Sequence, residues 1–478
     1  MERSRSPMAQ NSPAERKIDA KLVCSVVACG FLAFAGVVVE TAMNVTFPTL
    51  MAEFGIDIST VQWITTGYLL VMTIVMPLTP FLSRRIPTRT LFMIACVVFM
   101  AVTALAAVAP SFGVLLACRV IQGMGAGIAM PLMFNIVAEQ APFEKMGMMM
   151  GVATFVVACA PAIGPSFGGL IVTTVGWRGI FLCLLPLLVL SLVLGVANIR
   201  QAGRLDSTAR FDLMGWMLLA AAIACLLVAC SYMSVWGWTS ARTLGLFAVS
   251  VVVLLLFVAH CGHTDEPLLW LSAFHAPAFS LGVAAMMLIQ LIVLGFGLLI
   301  PNYAQIVGGQ DAFVAGCLIL PGCIVGAILA PVSGRIYDRL GAVVPLSVGA
   351  ACMALSCVIY ALAHAGMSNV GVELNYVLFA FGQGLCVGNL LTIGLTTLGD
   401  AKRSDGTAIA NTLQQLSGAL GTAIMSAIVA AGQAGMSLGD AGYVAGTAAG
   451  THMAFVVSAV LGVVLFVDVV ALLARKRG

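Results

Sequence analysis

Leu116-Ala-Cys-Arg119-Val-Ile-Gln122-Gly123-Met-Gly125-Ala-Gly127 lies inside an apolar run from 112 to 138 whose only charge is Arg119. A helix that crosses a hydrocarbon core ~30 Å thick needs about 20 predominantly apolar residues, and this run is long enough. It lacks the two-residue alternation of a barrel strand. In lipid, only helices and closed barrels satisfy their own backbone groups, so the run reads as a membrane-spanning helix with one cation inside it.

The same pattern recurs along the chain. Apolar runs fall at 22–48, 60–82, 90–109, 112–138, 146–174, 179–199, 212–234, 242–261, 277–303, 312–334, 343–365, 374–397, 405–431 and 452–473. Of the 478 residues, 61% are apolar and 9% charged, whereas a soluble domain carries about 25% charged residues. The expected class is therefore an all-α polytopic membrane protein with about fourteen transmembrane helices. The 14 cysteines lie in or beside apolar runs without a C-x-x-C pair, and read as small buried apolar residues rather than metal ligands or disulfides. The first apolar run is longer than a cleaved signal core and is expected to be retained.

Lys and Arg set the orientation, because loops rich in them stay in the cytoplasm. With the N-terminus inside, the even-numbered connections hold Arg84, Arg85, Arg89, Lys145, Arg200, Arg204, Arg210, Arg335, Arg339, Lys402 and Arg403. The N-terminal tail adds Arg3, Arg5, Arg16, Lys17 and Lys21, and the C-terminal tail adds Arg475, Lys476 and Arg477. Only Arg178 and Arg242 fall on the other side. Both termini are expected in the cytoplasm, with the chain multi-pass in the cell (inner or plasma) membrane.

Two stretches repeat at nearly the same offset. Gly334-Arg-Ile-Tyr-Asp338-Arg-Leu-Gly341 echoes Pro80-Phe-Leu-Ser-Arg84-Arg-Ile-Pro87, and Phe381-Gly-Gln383-Gly384 echoes Ile121-Gln122-Gly123. Such repeats suggest two homologous halves, an arrangement typical of secondary transporters that bind cargo near mid-membrane. The expected organisation is a tail at 1–21, a six-helix bundle at 22–199, a linker with two extra helices at 200–276, a second six-helix bundle at 277–473 and a tail at 474–478.

At these residues the chain resembles the major facilitator superfamily, and within it the fourteen-helix drug:proton antiporters. Four stretches carry the resemblance: Arg119 to Gly127, matching R-x-x-Q-G; Ala160-Pro161-Ala-Ile-Gly164-Pro165-Ser-Phe-Gly168-Gly169, matching the antiporter motif; Val61-Gln-Trp-Ile-Thr-Thr-Gly-Tyr68; and Gly334 to Gly341, matching G-x-x-x-D-R-x-G. The resemblance implies the major-facilitator fold and alternating access. It also implies a tightly packed fifth helix sealing the halves through Pro161, Gly164, Pro165, Gly168 and Gly169. A cytoplasmic loop bridge would come from Gly334, Asp338, Arg339 and Gly341. Two departures stand out. Arg84 replaces the acid of the first loop copy, and Glu40 stands eight rather than nine residues before Pro48, which turns it ~100° on a helix.

Ionisable groups within spans are rare and usually functional. Away from helix ends the sequence has two, Glu40 and Arg119. Burial favours the neutral form of a carboxyl, and a nearby cation favours the ionised form. Glu40 is therefore the expected proton carrier and Arg119 its counter-group, with a structural Glu40 capped by backbone or by Asn44 as the alternative. Asp468, near the end of the last span, reads as structural and able to reach the interface or the basic tail at Arg475. The translocation path draws its candidates from Asn44, Gln122, Asn135, Gln290, Asn411 and Gln414, with Asn389 and Gln415 beside them; each could equally be an interhelical hydrogen bond.

There is no phosphate loop, hydrolase nucleophile motif, metal-ligand cluster or basic–aromatic stripe for nucleic acid. The chain is thus expected to be a transporter and not an enzyme, without cofactor or metal. Its partners are a small-molecule substrate, protons and the bilayer, with a monomer as the working unit. The function expected is proton-coupled export of amphipathic or cationic drugs, conferring antibiotic resistance. Export of a dedicated metabolite such as an amino-acid derivative or siderophore is an alternative, and a transporter-like receptor without flux a remote one.

Overall fold

The computed structural model describes residues 19–141, 146–201, 205, 211–264, 267–363, 367–398, 400–436, 440 and 442–477. Lys145, Arg204, Arg210 and the tail up to residue 18 lie outside that set, as do the side chains of Asp338, Lys402, Arg403, Lys476 and Arg477.

The first half contains α1 (Ala20–Val45), α2 (Phe47–Phe54), α3 (Ile58–Val61), α4 (Trp63–Val75), α5 (Thr79–Arg85), α6 (Thr88–Ala107), α7 (Phe112–Gln140), α8 (Met146–Thr174) and α9 (Arg178–Asn198). The linker pair is α10 (Leu213–Trp236) and α11 (Ala241–His263). The second half contains α12 (Pro277–Ile306), α13 (Ala312–Cys317), α14 (Leu320–Leu340), α15 (Val343–Ala363), α16 (Asn369–Thr396), α17 (Asp400–Gly432) and α18 (Tyr443–Arg477). Among the described residues 13 helices, with α3–α5 and α13–α14 each read as one broken span, are long and apolar enough to cross a membrane. α8, whose described apolar stretch is Cys159–Thr174, supplies the fourteenth expected helix. The architecture is all-α, polytopic and of the expected class.

The breaks have local causes. Pro77 and Pro80 lack backbone donors, and between α4 and α5 the chain tightens into a 3-10 turn at Met76–Leu78. Pro321 enters the first turn of α14 where that span restarts after α13. α1 ends at Val45 and the chain bends at Thr46 before α2, with Pro48 in its first turn. The stretch Gly334 to Gly341, expected as a loop, instead forms the last two turns of α14. Only Gly341, at φ 75°, leaves the helix.

The halves have the same internal plan. α1 packs on α7, α8 and α9, and α12 packs on α16, α17 and α18. The extra pair does not form a third bundle. α10 packs against both α4 and α17 along the seam between the halves, and α11 lies outside α10. The indole of Trp216 on α10 donates to the Ile74 carbonyl at 3.0 Å, in the last turn of α4. Asp212 caps α10 through Gly215 N–H at 2.8 Å, accepts Leu268 N–H at 3.1 Å, and pairs with His260 of α11 at 2.7 Å. These bonds fix both ends of the hairpin and the start of the return chain. Burial would raise the Asp212 carboxyl, but Gly215, His260 and Leu268 outweigh it and hold it below the usual carboxylate range.

At the far end of the first half, Glu53 of α2 accepts the Trp177 indole N–H at 2.6 Å and the Arg178 guanidinium at 2.9 Å. Arg178 also donates to the Ala109 carbonyl at 3.0 Å and lies over the Trp177 ring. This clamp ties α2 and the α6–α7 turn to the start of α9. Burial raises the Glu53 carboxyl, while Trp177 and Arg178 lower it by more, so it sits below its ordinary value. A carboxyl lowered by folding stabilises the fold at pH above its unfolded value, about 4.3, and the contribution is lost as pH falls through the folded value. Glu53→Gln should therefore melt below the parent protein in detergent at neutral pH. That gap should narrow below pH ~4; a gap independent of pH would refute the electrostatic reading of the clamp.

Candidate functional site

Arg119 enters the first half from the middle of α7 and is fully buried. Its Nε donates to the Ile64 carbonyl at 3.2 Å, and one terminal nitrogen donates to Gln122 Oε1 at 2.8 Å. Gln122 in turn donates to Thr103 Oγ1 at 2.8 Å, and Thr103 donates to the Phe99 carbonyl at 2.6 Å. The guanidinium also lies over the Tyr68 ring, 4.2 Å from its centre, a favourable placement for a cation on an aromatic face. One charge thus holds α4, α6 and α7 together. Gln122, expected on the cargo path, has both ends of its amide occupied here. The three-residue spacing to Arg119 put Gln122 within reach, but no sequence signal pointed to Thr103.

Two polar atoms of this cluster have no hydrogen-bond partner among the described residues, Arg119 Nη2 and the Tyr68 hydroxyl. Glu40 on α1 is 4% exposed and lies within electrostatic reach of both residues. Gly36, one turn before it, lets α1 settle against Tyr68: a Cβ there would stand 2.8 Å from the hydroxyl. Asn44 does not cap Glu40. Its Oδ1 accepts from Thr65 at 2.8 Å. The structure therefore brings Glu40 and Arg119 into one buried cluster.

The glycines of α8 make backbone contacts in two directions. A Cβ on Gly168 would meet the backbone of Ala42 at 2.8 Å, and one on Gly164 would overlap the Thr41 side chain. On the opposite side Gly169 lies against the Ala312 carbonyl, and Gly316 of α13 lies against the Pro165 carbonyl. The Ser166 hydroxyl donates to the Gly316 carbonyl at 3.4 Å. α8 is thus a spacer of minimal width between α1 of one half and α13 of the other. Pro161 and Pro165 both lie within the helix.

The other hydrogen bonds between the halves cluster at the same end. Asn302 of α12 donates to the Asn44 carbonyl at 3.3 Å, and Gln305 donates to the Val45 carbonyl at 3.0 Å. These carbonyls end α1 where the bend at Thr46 interrupts its ladder, a place where helices need outside partners. Thr66 and Thr422 share a hydroxyl hydrogen bond at 3.2 Å, and Ser426 donates to the Ile58 carbonyl at 3.5 Å. Gln415 and Met72 form the innermost link at 3.6 Å. On the α5 side of that link, α17 still touches the turn at Met76–Leu78. Most of the hydrogen bonds described between the halves lie, as a latch, toward the end of α1 that Thr46 closes. Asn302 and Gln305 were missed as site residues, although two amides three residues apart just after Pro301 mark the end of an apolar run.

Of the other path candidates, Gln414 donates to Gln290 at 3.2 Å, facing α12 from α17. Asn135 and Asn411 are half-buried, while Asn389 is committed to Ser333 at 2.7 Å. Gly334 has no neighbour close enough to require a glycine, and Arg339 is exposed. The structure does not bring Gly334, Arg339 and Gly341 into a bridge among the described residues, and the Asp338 side chain is outside them. Asp468 does not reach Arg475. Its Oδ2 is buried without a partner on α18. No cluster able to hold a metal occurs among the described residues.

Comparison with known proteins agrees with this geometry. Residues 27–422 match the Major Facilitator Superfamily. The lincomycin resistance protein LmrB of Bacillus subtilis (strain 168) is 34% identical over 416 residues, 86% of each chain. The multidrug resistance protein B homolog of Mycobacterium tuberculosis (strain ATCC 25618 / H37Rv) is 30% identical over 418 residues, 86% of this chain and 77% of its own. Among solved structures, a bacterial homolog of the human lysosomal transporter Spinster superposes with a TM-score of 0.70 at 14% identity, covering 96% of this chain and 98% of that one.

Two substitutions test the seam. Gly168→Leu should abolish transport in reconstituted vesicles while the protein still reaches the membrane; retained transport would show that the close approach is dispensable. Asn302→Leu removes a latch bond worth about 1 kcal/mol, and should raise the exposure of a cysteine placed at Val45 to a membrane-impermeant thiol reagent by about fivefold. Unchanged labelling would mean that the bond does not hold the latch.

Proposed function

The chain belongs to the Major Facilitator Superfamily and is a multi-pass membrane protein that carries small molecules by secondary transport; from that premise we propose that it exports amphipathic or cationic molecules in exchange for protons. The observation that carries this reading is Glu40, a carboxyl buried on α1 without a hydrogen bond from any other described residue, within reach of Arg119. A permanently ionised acid in such a place would demand firm partners, whereas an acid that trades its proton must be able to do without them. Arg119 is firmly held by Ile64 and Gln122, so the charge that Glu40 senses stays fixed while its own comes and goes.

The proposed cycle follows from the latch. With the basic loops taken as cytoplasmic, the hydrogen bonds at Asn302 and Gln305 lie toward the outer face, and the cycle begins with cargo loading from the cytoplasm. A cationic molecule entering from the cytoplasm is favoured by an ionised Glu40. Once the latch opens, a proton arriving from outside neutralises Glu40 and weakens the hold on the cargo. The protonated carrier then returns and releases its proton inside. α8, with its glycine contacts on both sides, keeps the seam tight so that protons do not leak between the halves. We place the two six-helix bundles at 22–199 and 277–473, with the hairpin of α10 and α11 covering the α4–α17 seam against lipid. The antibiotic-resistance names of the relatives favour drugs as cargo, and lincomycin is one compound to try.

The test is transport into vesicles containing the purified protein, with lincomycin and ethidium as cargo and an imposed pH gradient. The wild type should accumulate cargo only when the gradient is present. Glu40→Gln should reduce gradient-driven accumulation by at least about tenfold while still exchanging cargo across the membrane without a gradient. A Glu40→Gln protein with undiminished gradient-driven accumulation would disprove the role of Glu40.

A further inference from the structure

The outer end of α12 has two faces. Asn302 and Gln305 point to α1 across the seam. At 100° per residue, Ile300, Tyr303 and Val307 lie half a turn away and face into the second half. Behind them is a cavity of about 420 Å³, bounded by α12, the end of α15, the start of α16 and the first half of α18. It belongs to the second half alone, and α12 separates it from α1 and the Glu40 cluster.

The floor of this bowl is aromatic and rigid. The rings of Tyr360 and Phe455 stack with centres 4.9 Å apart and planes 14° from parallel. Phe296 braces both edge-on, at 5.2 Å and 5.9 Å. The Tyr360 hydroxyl donates to the Val372 carbonyl at 2.7 Å, which fixes its ring. The wall carries Met367, an adaptable apolar side chain, and three uncharged or weakly basic polar residues, Tyr303, Asn369 and His452. Among the described residues no Asp, Glu, Lys or Arg lines it.

We propose that this bowl is a second small-molecule site, selective for uncharged, largely apolar molecules of two or three rings that carry a carbonyl or N–H group. Tyr360 and Phe455, stacked on each other and 2% and 8% exposed, offer a fixed apolar floor, and the polar wall residues can orient one hydrogen-bonding group. Its volume suits a ligand of this size. The absence of a carboxylate gives a permanent cation no counter-charge, in contrast to the Glu40 cluster. The two sites therefore differ in chemistry as well as in place.

Acridone is a suitable probe, being planar, three-ringed, uncharged and fluorescent, with one N–H and one carbonyl. Its anisotropy would be followed while full-length protein in lipid nanodiscs is titrated in, against empty nanodiscs. A saturable component absent from the empty discs is expected, and excess ethidium should leave it in place. Ala449→Trp, which fills the bowl from α18, should remove it. Asn369→Leu should weaken it by about 5- to 10-fold. Val307→Trp fills the bowl from the opposite wall and serves if Ala449→Trp does not fold. Absence of a saturable component, its displacement by ethidium, or its survival in both filled variants would each overturn the proposal.

Discussion

The guanidinium of Arg119 imposes the first requirement on the N-terminal half. A cation in the middle of a membrane bundle has no water to fall back on, so its partners must come from the helices around it. Ile64 offers a carbonyl from α4, Gln122 an amide from the next turn of α7, Thr103 on α6 anchors that amide, and Tyr68 covers the guanidinium face. The positions of three helices are thereby tied to one charge. α1 is different, because Glu40 is near this charge but not bonded to it. One member of the pair is anchored and the other is free to change its state, an asymmetry suited to a proton carrier.

The second requirement is a seam that can open. Glycines in α8 and α13 remove side chains from the contact so that the halves meet backbone to backbone. The hydrogen bonds described across the seam use terminal amides and hydroxyls. Asn302, Gln305 and Thr66 make bonds that water can replace once the end opens, each with a modest net worth of about 1 kcal/mol. Ion pairs at that depth would be costly to separate. The firm links, Glu53 with Trp177 and Arg178, and Asp212 with His260, lie within one half or within the hairpin. Strong contacts hold the moving parts together, and weak ones lie between them.

Much of this was legible in the residues. Long, nearly uncharged runs located the 13 helices that are long and apolar enough to cross a membrane, because hydrophobic length is a property of the chain alone. Glu40 and Arg119 stood out because charge in such runs is rare. The start of α18 was harder: it begins at Tyr443, whereas the apolar run begins at 452. Its first turns are rich in Gly and Ala, weakly apolar by count, and become helix through contacts of Gly446 and Gly450 with Gly432 and Val429 of α17. The end of α14 was read as a loop because its charges resemble one, although Arg335 and Arg339 simply project from an exposed helical turn. Thr103, the latch amides and the seat of α10 between α4 and α17 depend on partners far away in sequence, which periodicity cannot supply. Asp468, read as reaching the interface or the basic tail, does not pair with Arg475 among the described residues, although the two are near in sequence.

The account stands on Glu40 exchanging its proton for cargo, and proton release on binding measures that step without any membrane or gradient. The purified protein, in weakly buffered detergent with a pH indicator, would be titrated at neutral pH with whichever of lincomycin and ethidium the vesicle assay shows to be carried. The account expects binding to release protons from the wild type and none from Glu40→Gln. Equal release from both proteins, or tight binding with no release from the wild type at any pH near neutrality, would contradict it.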